Sequence, residues 1–181
     1  MTQDRPRYTD RKFPPYTYVP GRSPHPISDP AGHMHGHEPP APPPLDPANW
    51  RDSETYLYGV DLFNHGYYWE SHEEWESLWH AAGRRGLVAD FLKGLIKLAA
   101  AGVKSLEEKP TGVLRHSRRG IELLTSVMST KKNHHGVDVP QVVKLANGLC
   151  KKIESCDSEH LPGIWSGLVL MLETDQGFGN P

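Results

Sequence analysis

Twenty residues, Leu87 to Leu106, limit the folds open to this chain more than any other stretch. Leu87, Phe91, Leu95, Leu98, Gly102 and Leu106 recur at spacings of three and four, which places them along one face of an α-helix. Leu92, Ile96, Ala99 and Val103 widen that face. A helix apolar over so much of its circumference must be covered from several sides, so it is read as the central member of a helical bundle. Gly94, Gly102 and the run Ala99-Ala100-Ala101 keep one flank thin and admit another helix at close range. Lys109-Pro110 ends the element, because proline breaks the helical hydrogen-bond ladder.

The neighbouring segments read as helices that could cover it. Asp46 as N-cap with Pro47 in the first helical position predicts a helix that carries Trp50, Leu57, Val60 and Phe63 and stops at Gly66. A second runs from Tyr68 to Ala82 and is ended by Gly83. A fourth, after the central one, starts near Thr111 and carries Leu114, Ser117, Ile121, Leu124 and Met128. A fifth opens at Asp138 with Pro140 and carries Val142, Leu145, Ala146, Leu149 and Ile153. The expected fold is all-α, a compact bundle of about five helices over residues 46–156. The tail, 157–181, holds Trp165 and a run of large aliphatics, and is expected to pack back on the bundle rather than leave them as an exposed patch.

Residues 1–45 are a separate unit. Twelve of the seventeen prolines lie there, which excludes regular helix and predicts an extended, polyproline-like arm. Tyr8, Phe13, Tyr16, Tyr18 and Val19 give it apolar anchors. A docked arm and a disordered one both remain open at this level.

A formal net charge of −2 gives no global reason to expect nucleic acid or an anionic membrane as partner. The basic residues Arg115, Arg118 and Arg119, with Lys131-Lys132 beyond, read as a solvated face, since no aromatic platform or nucleic-acid motif accompanies them. Two cysteines, Cys150 and Cys156, form neither a disulfide framework nor a zinc knuckle and read as reduced thiols. There is no apolar signal segment near Met1 and no run of membrane-spanning length. A soluble, cytoplasmic protein is the expectation.

The chemistry concentrates between Asn64 and Trp79, which carry three of the five tryptophans and several carboxylates with His72 among them. Trp69, His72, Glu76 and Trp79 follow spacings of three and four, so they are expected on a core-facing stripe with His72 paired to Glu76. Glu73, Glu74 and Ser77 are expected to point sideways or outward. In one reading His72 and Glu76 are satisfied polar members of the core, in a non-enzymatic scaffold that binds a protein partner. In the other they line a pocket for a small ligand or a divalent transition metal. There Asn64 orients the ligand, Trp69 and Trp79 flank it, and His72 is ligand or proton carrier. Glu76 binds metal or pairs with His72, and Glu73 is the general base if it borders the pocket. His72-Glu73-Glu74-Trp75-Glu76 departs from H-E-x-x-H at its second metal-binding histidine, which argues against a zinc protease. In the arm, His33, His35 and His37 alternate, so in an extended chain their rings face one way and could bind zinc, nickel or copper, or be carried over the His72/Glu76 face.

Phe63-Asn64, Gly66, Tyr68-Trp69-Glu70, His72-Glu73, Trp75-Glu76 and Trp79, followed by Phe91-Leu-Lys-Gly-Leu-Ile-Lys-Leu-Ala-Ala-Ala, Gly112 and Leu114, resemble a known family, domain of unknown function 309. The resemblance covers about residues 52 to 125 and implies a compact all-α bundle. It implies no reaction, since the family has none assigned. Lys93 and Lys97 stand where the family often has glutamine, which makes that wall more basic. Whether the chain is an enzyme, and whether it forms a homo-oligomer, is left open by the residues.

Overall fold

The computed structural model describes residues 5–130, 132–155 and 161–173. Its centre is α3 (Leu87–Leu106), packed against α2 (Tyr68–Ala81) on one side and α4 (Pro110–Met128) on the other. α1 (Glu54–Asn64) packs on α2, α5 (Val139–Glu154) on α4, and the short α6 (Leu161–Trp165) closes against α3 and α5. A two-residue ribbon, β1 (Asn133–His134) antiparallel to β2 (Val137–Asp138), joins α4 to α5. The all-α bundle is as the sequence implies.

The glycines explain how closely α3 is held. A Cβ on Gly94 would lie 2.7 Å from Leu124 of α4, and one on Gly120 would lie 3.1 Å from the Gly94 carbonyl. A Cβ on Gly102 would lie 2.4 Å from the Tyr68 ring of α2. Gly94 and Gly102 therefore face different neighbours, and the single thin flank expected from the sequence is two separate close approaches. Phe63, Tyr68 and Trp75 form an aromatic layer beneath, with Phe63 5.4 Å from Tyr68 and 5.8 Å from Trp75 between ring centroids.

Helix starts show which caps win. Asp138 caps α5, its Oδ1 accepting from Gln141 N at 3.0 Å. Asp46 does not start a helix. Its carboxylate accepts from Ala48 N and Asn49 Nδ2, both at 2.8 Å, closing a turn instead. The chain then makes a 3-10 turn at Trp50–Asp52, and Ser53 caps α1 by accepting from Tyr56 N. Trp50 decides this detour, because its ring lies over Gly136 in the ribbon, where a Cβ would sit 2.4 Å away. α4 begins one residue before Thr111, with Pro110 in its first turn and no side-chain cap. In the tail, Trp165, Leu168, Leu170 and Leu172 are buried. Cys150 is buried, while Cys156 and Lys131 lie outside the described residues.

The arm from Arg5 to Leu45 is irregular and runs along α1 and α2. Two carboxylates hold it. Asp61, fully buried on α1, accepts from Tyr8 N (2.7 Å), Thr9 N (2.9 Å), Thr9 Oγ1 (2.7 Å) and Arg7 Nε (3.2 Å). Glu70 on α2 accepts from Tyr18 N at 2.8 Å and from Thr17 Oγ1 at 3.3 Å. Arg11 adds an ion pair to Glu74 at 3.1 Å and lies over the Tyr58 ring. Asp61→Ala is expected to lower stability by about 3 kcal/mol, because several part-buried donors lose one shared, fully buried acceptor at once. Urea unfolding would measure the loss, and limited proteolysis should show new cleavage between residues 5 and 19. Gly102→Ala should cost about 2 kcal/mol by overpacking against Tyr68, with the arm still protected.

Candidate functional site

Between Phe91 and Ser105 every residue of α3 is buried except Lys93, Lys97, Ala100 and Lys104. These follow spacings of four, three and four, so they form a single strip along the helix. The open strip of an otherwise enclosed helix is three lysines and an alanine. α2 flanks it with His72, Glu73 and Glu76, and α4 flanks it with Arg115, His116 and Arg119.

The register of α2 differs from the expected one. Its buried stripe is Tyr68, Ser71, Trp75 and Leu78, one position round from Trp69, His72, Glu76 and Trp79. Trp75 wins the inside position because its indole donates to the Tyr56 carbonyl at 3.3 Å, while Ser71 Oγ donates to the Gly59 carbonyl at 2.8 Å. His72, Glu73 and Glu76 consequently stand at the edge of the groove, with side chains 26%, 37% and 32% exposed. His72 Nδ1 lies 3.1 Å from Glu73 Oε1, so its near partner is Glu73 and not Glu76. Glu76 Oε1 is 4.0 Å from Lys93 Nζ, which sits 3.8 Å over the Trp79 ring. One ligand atom from each of His72, Glu73 and Glu76 can be chosen so that all lie within 4.8 Å of one another, and a metal ion can be held there.

The other expected residues are placed differently. Asn64 is fully buried, and its amide is committed to the tail: Nδ2 donates to the Leu170 carbonyl at 2.9 Å and Oδ1 accepts from Leu170 N at 2.8 Å. It clamps the chain and is closed to a ligand. Trp69 packs edge-on against Tyr18 and His25 of the arm, both at 5.4 Å. His33 lies against Tyr16, and His35 Nδ1 lies 3.0 Å from the Ile27 carbonyl. Among the described residues His72, Glu73 and Glu76 are the one metal-holding group, so His33, His35 and His37 neither form a second nor join the first.

Lys97 and His116 complete the groove. Burial, and then the Lys93 charge, push the Lys97 ammonium below its usual range, with Arg115 and Arg119 adding to this and Glu76 opposing it. Burial, and then Lys97, Arg115, Lys104 and His72, hold His116 below 6.5. From residues alone Lys97 stands out only as a departure from a family pattern, and His116 does not stand out at all. The signal for the strip is Lys93, Lys97 and Lys104, at spacings of four and seven, on a helix that is otherwise largely apolar. Glu70 and Glu74 were also hidden: burial beneath the arm raises both carboxyls above the usual range.

Residues 56–116 match the model of a family described as Domain of unknown function (DUF309). The match is narrower than 52 to 125. It runs from the first turn of α1 into α4 and so includes His72, Glu73, Glu76, Lys93, Lys97 and His116. No curated protein and no solved structure matches the chain. Among the described residues, no helix is long and apolar enough to cross a membrane.

A depressed histidine stabilises the fold while neutral, a contribution present above 6.5 and lost as the pH falls through that value toward the folded one. Proton NMR should therefore show His116 titrating below 6.5. Lys97→Gln should raise its midpoint, and an unchanged midpoint would remove Lys97 from its surroundings.

Proposed function

We propose that the chain is a divalent-metal-binding helical protein whose site is the edge of the α2–α3–α4 groove, with His72, Glu73 and Glu76 as ligands. The observation that carries this reading is the approach of one imidazole nitrogen and two carboxylate oxygens to within 4.8 Å of one another at half-exposed positions. A nitrogen and two oxygens suit zinc and its neighbours in the first transition row. Three protein donors leave further coordination positions for water or a small ligand, the pattern of sites that bind or activate something rather than only brace a fold. His72 must be neutral to ligate, so protons compete with the metal for its nitrogen.

A scaffold reading has one observation in its favour. Glu73 already has His72, and Glu76 has Lys93, so the polar groups are satisfied without an ion. Metal analysis with native mass spectrometry on untagged protein separates the two. One bound zinc or nickel per chain is expected. His72→Ala and Glu76→Gln should each weaken binding at least about tenfold, the loss of roughly 1.4 kcal/mol for one donor. Stoichiometric binding unaffected by either change, or no binding at micromolar metal, would leave the scaffold reading standing.

A further inference from the structure

The basic residues around the groove are not equivalent. Lys104 and Lys109 are both paired with Glu107, at 2.9 and 2.8 Å. Arg118 is paired with Glu154 and Arg119 with Glu122, each at 2.6 Å. Lys93 has Glu76 and the Trp79 face. Among the described residues, Lys97 and Arg115 have no carboxylate at ion-pair distance, and the side-chain contact of Arg115 is His116 Nε2 at 3.4 Å. Lys97 on α3 and His116 on α4 are moreover half-buried. Two unneutralised cations and a histidine are thereby brought to one place, in a chain whose net charge is −2.

We infer that the groove binds a small phosphate-bearing molecule, with Lys97, Arg115 and His116 as its anion contacts. A phosphate brings up to two charges and several acceptor oxygens, which meet a forked guanidinium, an ammonium and an imidazole N–H through charge-assisted hydrogen bonds. Beside Arg115, at the α3–α4 turn, lies an open cleft of about 520 Å³ lined also by Lys104, Glu108, Lys109 and Thr111, which gives room for the organic part of a phosphomonoester next to the anion contacts. A long polyanion fits poorly. At the other end of the strip Glu73 and Glu76 repel it, and the one aromatic ring described beside the lysines, Trp79, already has Lys93 Nζ over its face. This names the ligand class of the groove and rests on the groove being a binding site. The anion contacts lie on α3 and α4 and the metal donors on α2, so each can fail without the other.

Calorimetric titration of the full chain with inorganic phosphate and with a small phosphomonoester, in EDTA at constant ionic strength, tests the inference. One saturable site is expected, weakened at least about tenfold in Lys97→Gln and in Arg115→Gln. Lys97→Arg should recover part of the affinity, and the exposed control Lys151→Gln should bind as the parent does. The His116 midpoint should move up when phosphate is added. Circular dichroism identifies any variant that has lost its fold, and Lys97→Arg then carries the comparison. Absence of saturation, or equal weakening in Lys151→Gln, overturns the inference, as does tighter binding of a duplex oligonucleotide than of the monoester. Phosphate bound only after zinc is added, and indifferent to Lys97, overturns it as well, because the anion is then a ligand of the metal. Binding in EDTA that survives His72→Ala supports it, whatever becomes of the metal reading.

Discussion

The burial of α3 on nearly all sides is the constraint from which the rest follows. Close packing needs positions without side chains, and Gly94, Gly120 and Gly102 supply them, the first two toward α4 and the last toward the Tyr68 ring. Once both neighbours are that close, little of α3 reaches water, and whatever polar chemistry it carries is forced onto the remaining strip. Lys93, Lys97 and Lys104 occupy that strip, and the flanking helices bring His72 and His116 to its two sides. The groove is thus a by-product of core packing, and its charge is set by a handful of positions that packing leaves free.

The same economy explains the arm. A proline-rich segment cannot satisfy its own backbone donors in a helix, and the few N–H groups it keeps must find acceptors elsewhere. Asp61 and Glu70 serve Tyr8, Thr9 and Tyr18 in that way. Carboxylates this deeply placed are tolerable because backbone and side-chain donors surround them. Desolvation still outweighs those bonds at Glu70, whose carboxyl is raised.

How far these features could be read from residues alone varies with the strength of the period. α3, α4 and α5 each have one dominant apolar face and lie close to where the sequence puts them, although α4 buries Val113, Gly120 and Val127 in place of Leu114, Ile121 and Met128, and Leu87 and Leu145 are exposed. α2 has aromatics on two adjacent stripes, and the arm covers a further face, so almost every rotation buries something large. The difference of one position moved His72 and Glu76 from an interior pair to a groove edge. Asp61 was overlooked because a carboxylate is ordinarily counted as surface, although Val60-Asp61-Leu62-Phe63 leaves it little alternative to burial. Asn64 was noticed for its company, yet its role depends on Leu170, and a contact between residues so distant in the chain leaves no local trace.

That clamp has a consequence for how the molecule is made. The Tyr8 hydroxyl accepts from Leu172 N across a separation of 164 residues, and Asn64 closes on Leu170 across 106. Arg5 reaches the Asn64 and Ser166 carbonyls at the same junction. Helical bundles ordinarily assemble through neighbours in sequence and fold quickly for that reason. Here residues 5–8 have partners at residues 166–172, so the arm waits undocked on that side until residue 172 has been made. The helices can form in order as they emerge, while the seam between these two segments closes last.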